Sequence, residues 1–172
     1  MPRATIKLVP TASAVADDAA HDHATRVAPT VLSLGTLSDV LGYHIAQAAV
    51  TTVDMFERHV GERFNLRKVE FSILMLLLQN GPLSPKRLGQ VLALTAPNLT
   101  LLLDRLQERD LLRRERNQTD RRSQNIVLTE AGLAVSREAA AAAGPMEREL
   151  DSRLSAAERA MLLELLRKVA GR

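Results

Sequence analysis

The 172-residue sequence contains no cysteine and no tryptophan, and only one tyrosine and three phenylalanines. The absence of cysteine excludes disulfides, thiolate zinc sites and thiol-based redox sensing. With so few aromatic residues, the core must be built from Leu, Ala, Val, Ile and Met, a composition that favours packed helices over a β-sandwich. Hydrophobic residues make up 46% of the chain, which is enough for one core or two fused lobes. We therefore expect a mostly α protein.

Long hydrophobic runs are also missing. The best apolar run, residues 71–78, is far shorter than the roughly 18 to 20 residues that cross a bilayer. The N-terminal stretch lacks the apolar segment of a secretory signal and carries charged residues where that segment would lie, at Lys7, Asp17, Asp18 and Asp22. We expect a cytoplasmic protein with no membrane partner.

Basic charge is concentrated in one short segment. The sequence carries 23 Lys and Arg against 20 Asp and Glu, a net charge of +3. Between Arg113 and Arg122 there are five arginines against Glu115 and Asp120, so this segment alone holds a charge of +3. The apolar runs Leu112–Glu115 and Asn125–Leu128 predict two strands, with Asn117–Arg122 as the polar loop of a hairpin. An isolated hairpin of this kind is more often a solvated surface loop, but its flanking segments favour a DNA-binding wing.

The sequence before the hairpin predicts a tail followed by helices. Residues 1–30 show no sustained periodicity and are expected to form a flexible tail. Apolar spacing predicts a long amphipathic helix from Thr36 to Val60, ended by Gly61. A second, buried helix is predicted from Arg67 or Lys68 to Gln79, where apolar residues lie on nearly every side.

Two cap-and-proline signals predict a helix-turn-helix. Ser84 before Pro85 starts a third helix, and Thr95 shortly before Pro97 starts a fourth, from about Ala96 to Arg109. In the fourth helix Leu99, Leu102, Leu103 and Leu106 are expected to face the core. The other face carries Thr95, Asn98, Thr100, Leu101, Asp104 and Arg105, and polar groups at a helix N-terminus can read base edges or hold phosphates.

The segments after the hairpin predict two more helices. Thr129 to Gly132 caps the first of them, and Gly144-Pro145 is expected to kink or interrupt it. A capping box at Ser155 and Glu158 predicts a last helix over Ala156–Val169. Its apolar stripe comprises Met161, Leu162, Leu165, Leu166 and Val169. Because the first helix carries a similar stripe, we expect a helical dimerisation region formed by the N- and C-terminal helices.

The stretch from about Val69 to Gly132 resembles the MarR (multiple antibiotic resistance regulator) family of winged helix-turn-helix repressors. The most specific match is Asp120-Arg121-Arg122, followed by the residues from Ile126 to Gly132, which resemble the family's Asp-x-Arg wing tip and Leu-Thr-x-x-Gly helix start. Ser84, Leu88, Leu99-Thr100 and Leu103-Asp104-Arg105-Leu106 also fit the pattern of the reading helices. Together with the periodicity and the apolar stripes, the resemblance predicts a tail (1–30), an N-terminal dimerisation helix (31–66), a winged helix-turn-helix lobe (67–129) and C-terminal dimerisation helices (130–172).

The resemblance implies a ligand-responsive regulator, expected to be a repressor, that binds pseudo-palindromic double-stranded DNA as a homodimer. Arg122, with Arg121 nearby, would enter the minor groove, and Asp120 would orient an arginine. The remaining expected DNA-binding residues lie at or on the third helix, the fourth helix (the reading helix) and the first strand of the wing. They are Ser84, Thr95, Pro97, Asn98, Thr100, Arg105, Arg113 and Arg116.

Two departures from the family pattern affect the interface. Leu101 stands where many members carry an arginine, so one phosphate or base contact is expected to be missing. Asp110 replaces the glycine that usually follows the reading helix. Because Asp tolerates left-handed backbone geometry better than most residues, the turn is expected to survive.

Members of the family commonly bind small anionic, often aromatic, effectors in a crevice between the dimerisation helices and the reading lobe. The resemblance places the polar residues of such a crevice at Tyr43, His44, Gln47, Arg67 and Ser72. A histidine or arginine there could meet a carboxylate. A histidine on an apolar helix face is also frequently a hydrogen-bonded core residue, and both interpretations of His44 remain open.

Three other interpretations are weighed against this one. An enzyme using His44 and His59, with Asp54 or Glu57, is disfavoured because positions fifteen apart on one helix lie about 22 Å apart. A pure dimerisation module would leave the arginine hairpin incidental. A metal-responsive regulator of the same fold would combine carboxylates with histidines drawn from His21, His23, His44 and His59. No catalytic site, metal site or cofactor is expected.

Overall fold

The computed structural model describes residues 32–116 and 124–171 and divides the chain into two units, residues 1–49 and 50–172. The described residues are mostly helical, with one two-stranded sheet. Over these residues no helix is long and apolar enough to cross a membrane. The tail predicted for residues 1–30, the wing loop and its tip at Asp120 to Arg122 all lie outside the described residues.

The described part of the first unit holds a short 3-10 helix, Gly35–Asp39, and the start of α1, Leu41–Phe56. Helix α1 crosses the boundary between the units. A single π-helical turn follows at Glu57–Gly61, and α2 covers Glu62–Phe64.

The prediction that Gly61 ends the first helix is wrong. The helical run continues through the π turn into α2 and stops at Asn65, which has a left-handed backbone with φ 49°. Gly61 is buried, and a Cβ atom there would overlap the Glu57 carboxylate. Glycine at this position therefore makes room for a neighbouring side chain inside a helix instead of terminating it.

The core of the second unit is built mainly from leucine. Helices α3 (Lys68–Asn80), α4 (Pro85–Leu92) and α5 (Ala96–Glu108) each contribute a buried face. The cluster also takes in side chains from the hairpin and from α6, and its least exposed members include Ile73, Leu74, Leu88, Leu106, Ile126 and Ala139. The predicted helices over residues 67–109 are thus confirmed, and Leu102, which is half-buried, packs against the core as expected.

The hairpin strands are β1, Leu112–Arg116, and β2, Gln124–Leu128, each one residue longer than predicted. They pair antiparallel, with Leu112 opposite Leu128 and Arg116 opposite Gln124. Leu83, just before α4, adds a bridge to Ile126 through reciprocal backbone hydrogen bonds of 3.2 and 2.8 Å. This bridge fixes the middle of β2 against the segment that leads into α4.

The C-terminal part forms α6, Glu130–Asp151, and α7, Ala156–Val169. Thr129 caps α6 by accepting a 2.9 Å hydrogen bond from the Gly132 amide, and Ser155 and Glu158 form the predicted capping box of α7. Of the kink or interruption expected at Gly144-Pro145, the interruption does not occur: α6 runs through Pro145 as one helix. One proline removes a single backbone hydrogen bond, and the alanine-rich residues before it are strong helix formers.

Candidate nucleic-acid interface

Helices α4 and α5 form the predicted helix-turn-helix. Ser84 caps α4 by accepting a 3.3 Å hydrogen bond from the Arg87 amide, and Pro85 occupies its first turn. Ala93 ends α4 with a left-handed backbone, φ 53°, and the Leu94 amide donates to the Gly89 carbonyl at 2.9 Å. This short turn directs the chain into α5 only a few residues after α4 ends.

The outer face of α5 is exposed and mostly polar. Leu99, Leu103 and Leu106 are buried, and this fixes which side of the helix points away from the core. The opposite side carries the exposed residues Thr95, Pro97, Asn98, Thr100 and Leu101. The Thr100 hydroxyl donates to the Ala96 carbonyl at 2.9 Å, while the Thr95 side chain makes no capping hydrogen bond within the described residues. Hydroxyl and amide groups are thus presented around the first two turns of α5.

Arg105 extends from the same helix but is paired within the protein. Its Nη1 lies 3.6 Å from Oε1 of Glu70, a carboxylate that is buried in the second unit. The other oxygen of Glu70 accepts a 2.9 Å hydrogen bond from the Arg67 amide at the start of α3. Glu70 therefore joins the reading helix to the first turn of α3, a role that the sequence interpretation missed.

Two further arginines attach α5 to its neighbours. Arg109 donates to the carbonyls of Asn65 and Phe64 at 2.6 and 2.9 Å, so its guanidinium caps the end of α2. Arg114 of β1 donates to Asp104 at 2.5 Å and to Gln107 at 2.8 Å. These contacts anchor α5 at its C-terminal half and leave the N-terminal half of its outer face exposed.

The wing strand β1 presents the remaining predicted cations. Arg113 and Arg116 are both exposed. Arg113 pairs with Glu115, two residues along the same strand, with Nη2 and Oε1 2.7 Å apart. Side chains two apart on a strand share a face, so this pair lies on the face opposite Arg114. The predicted minor-groove residues, Asp120, Arg121 and Arg122, lie outside the described residues.

The expected effector residues fall in both units. In the first, His44 Nε2 lies 2.9 Å from the Ser38 carbonyl, and the His44 ring meets Tyr43 edge-on with centroids 5.5 Å apart. Gln47 is exposed one turn further along α1. In the second unit, Arg67 precedes α3 and the Ser72 hydroxyl donates to the Lys68 carbonyl at 3.0 Å. The crevice that would combine these residues stays a prediction.

The histidines of the alternative interpretations have separate surroundings. His59 Nε2 lies 3.0 Å from one oxygen of Glu149, whose other oxygen accepts from Arg58 at 2.9 Å. Across residues 32–116 and 124–171, no three His, Asp or Glu side chains form a group that could hold a metal ion. The remaining candidate ligands, His21 and His23, fall in the part of the chain that the structure does not describe.

Known proteins share both the sequence pattern and the fold. The MarR family model matches residues 66–124. The HTH-type transcriptional regulator PecS of Dickeya dadantii (strain 3937) is 32% identical over 142 residues, which cover 81% of this chain and 80% of PecS. The transcriptional repressor CouR, solved bound to a 23-mer DNA duplex, is 31% identical with a TM-score of 0.75, covering 81% of this chain and 98% of CouR.

A third relative is BpsR of Bordetella bronchiseptica, whose DNA binding is regulated by 6-hydroxynicotinic acid. It is 25% identical with a TM-score of 0.68, covering 76% of this chain and 98% of BpsR. The mostly helical fold with a two-stranded wing is that of these regulators. The relatives are transcriptional regulators and not enzymes, which sets the enzymatic interpretation aside. The chain belongs to the MarR family of DNA-binding transcriptional regulators.

Proposed function

We propose that this regulator is a repressor that binds a pseudo-palindromic operator as a homodimer and is released by a small anionic, aromatic ligand. The observation that carries the proposal is the exposed outer face of α5 beside the exposed arginines of β1. In this proposal Thr95, Pro97, Asn98 and Thr100 lie in or beside the major groove. The wing, with Arg113, Arg116 and the tip residues Asp120, Arg121 and Arg122, contacts the backbone and the minor groove.

Ser84 and Arg105 have supporting positions in this proposal. Ser84, at the start of α4, is placed at the phosphate backbone, where helix N-termini bind anions. Arg105 is 38% exposed on its side chain, so it can reach the edge of the interface while its guanidinium stays near Glu70. The exposed Lys86 and Arg87 of α4 add positive charge at the same end of the helix.

The homodimer part of the proposal rests on α7. Its apolar stripe is exposed in the single chain: Met161, Leu162, Leu165, Leu166 and Val169 are each between 39% and 58% exposed. A contiguous apolar face of this kind marks a protein interface more often than free surface. Two copies joined through such a face would present two reading helices to two half-sites about one DNA turn apart.

The ligand part rests on chemistry and on a relative. Residues Tyr43, His44, Gln47, Arg67 and Ser72 offer hydrogen-bond donors and a cation suited to a carboxylate. The regulation of BpsR by 6-hydroxynicotinic acid, an aromatic acid, supports this ligand class. Release would be a population shift: the ligand relieves repression only to the extent that it binds the non-DNA-binding state of the dimer more tightly.

A mobility-shift titration with the DNA upstream of the protein's own gene tests the proposal. We expect specific binding that weakens steeply with salt, because several phosphates are neutralised by lysine and arginine. Arg122→Ala should reduce operator affinity by roughly 5- to 150-fold, the cost of losing one specific arginine contact, while the dimer persists. Added 6-hydroxynicotinate or benzoate should release the DNA. Salt-insensitive binding, or an Arg122→Ala variant with unchanged affinity, would contradict the proposal.

A further inference from the structure

Leu101 is a large apolar side chain on the outer face of α5. Leu101 is 61% exposed, although Leu99 and Leu103, two positions before and after it, are buried. At about 100° of rotation per residue, Leu101 lies roughly opposite the buried stripe of the helix. It is therefore not part of the core, and it occupies the centre of the face that the proposed function assigns to the major groove.

The neighbours of Leu101 define what can cover it. Pro97 and Asn98 lie one turn before it and Arg105 one turn after it, so the leucine sits among groups suited to nucleic acid. A leucine cannot donate or accept a hydrogen bond, so it cannot read guanine or adenine as an arginine or an asparagine would. The major-groove edge of DNA carries one apolar group, the C5-methyl of thymine.

We propose that Leu101 is a specificity-determining residue that contacts a thymine methyl group in each half-site of the operator. The inference rests on the proposed function, because it requires α5 to enter the major groove. Many family members carry an arginine at this position, and this protein carries Leu101. An apolar contact with the DNA would therefore replace a charged one. Burial of one methyl group corresponds to about a fourfold change in affinity per half-site.

Replacement of thymine by deoxyuridine tests this directly. Deoxyuridine lacks only the C5-methyl, so the base pair and the minor-groove edge read by the wing are unchanged. The operator is taken from the upstream DNA or selected from random duplexes with the wild-type protein, and its thymines are then replaced one at a time. We expect wild-type affinity to fall about fourfold at one or two positions in each half-site, and to be unchanged elsewhere.

Three variants at position 101 test whether the preference for thymine over deoxyuridine, the methyl effect, depends on the Leu101 side chain. Leu101→Ala and Leu101→Gln should bind the thymine and uracil operators equally, whereas Leu101→Met, which keeps an apolar reach, should retain the preference for thymine. Thr100→Ala is the matched control on the same turn, since a threonine methyl can also contact thymine. Thermal melts verify that all four variants are folded. We expect the Leu101 variants to fold, because the side chain is exposed and does not belong to the core.

The inference is overturned if wild-type protein binds every uracil operator as well as the thymine operator. It is equally overturned if the preference for thymine survives in both Leu101→Ala and Leu101→Gln, or if Thr100→Ala abolishes that preference. Failure of the proposed function gives a different result. The wild-type protein would then select no specific DNA sequence, and the inference about Leu101 would fail with it.

Discussion

Gly132 has no room for a side chain. It is buried in the first turn of α6, and a Cβ atom there would lie 2.6 Å from the carbonyl carbon of Leu111 and overlap the Leu111 carbonyl oxygen. We predict that Gly132→Ala lowers the free energy of unfolding by about 3 kcal/mol, at the upper end of overpacking effects, measured by urea denaturation. Gly42→Ala in α1 is the control, because an added Cβ there would meet no atom within 4 Å beyond its chain neighbours and the helix backbone. It should stabilise by about 0.5–1 kcal/mol, the usual difference between glycine and alanine in a helix. Equal effects at both sites would contradict this interpretation.

Glu70 is a buried carboxylate with two partners. It accepts from the Arg67 amide and lies 3.6 Å from Arg105, whose side chain is 38% exposed. Glu70→Ala should cost about 2 kcal/mol, because it removes both the acceptor of the partly buried Arg67 amide at the start of α3 and the ion pair with Arg105. Glu70→Gln keeps an acceptor for that amide and should cost about 1 kcal/mol, since the pair with Arg105 is partly screened by solvent. Equal losses in the two variants would show that the ion pair, and not the helix cap, dominates.

The backbone conformation of a single residue could be predicted from the sequence. Ion pairs between residues far apart in the chain could not. Asp110 was expected to replace a glycine in a left-handed turn, and its φ is 54°. That prediction depended only on the tolerance of Asp for this geometry. The partnership of Glu70 with Arg105 could not be predicted in the same way, because the two residues are brought together only by the packing of α3 against α5.

Helix starts were more predictable than helix interiors. Ser84, Thr129 and Ser155 each cap a helix as expected, because a cap depends on residues three positions apart. Gly61 was interpreted as a helix end and Gly144-Pro145 as a kink or interruption, and both Gly61 and Pro145 lie inside helical runs. The reasons are local to each helical run: the Glu57 carboxylate, one turn earlier, occupies the space beside Gly61, and strong helix formers precede Pro145.

The π turn is attached to α6 by an ion-pair network. Glu149 of α6 accepts from Arg58 and contacts His59, and Arg58 also bonds to Asp54 at 3.2 Å. The Arg58 guanidinium, followed by His59, holds the pKa of Glu149 below its ordinary value of 4.5. In the folded state the carboxylate is thus ionised more readily than in the unfolded chain.

This shift gives stability a defined pH dependence. Because the folded-state pKa of Glu149 is the lower one, its ionised form stabilises the fold above about pH 4.5, and the contribution is lost as pH falls through the folded-state pKa. We expect the difference in unfolding free energy between wild type and Glu149→Gln to shrink as the pH falls below that value. Arg58→Ala should reduce the pH dependence, since it removes the largest cause of the shift. A difference that stayed constant down to acidic pH would contradict the assignment.

The apolar stripe of α7 is expected to decide the oligomeric state. Replacing Leu162 and Leu166 together by Asp places two charges in an interface that cannot solvate them, so the protein should sediment as a monomer and lose operator binding. Glu164→Gln, on the charged side of the same helix, should leave a dimer. A double variant that remains dimeric in sedimentation equilibrium would show that another surface joins the two copies.

The most direct test of the account is a hydroxyl-radical footprint of the wild-type protein on the DNA upstream of its gene. We expect two related protected half-sites with centres about one helical turn apart, flanked by protection of the minor groove where the wings would lie. Protection should recede when salt is raised or an aromatic carboxylate is added. A single asymmetric protected site, or no protection at protein concentrations that saturate other DNA-binding regulators, would contradict a symmetric dimer that reads DNA through α5 and the wing.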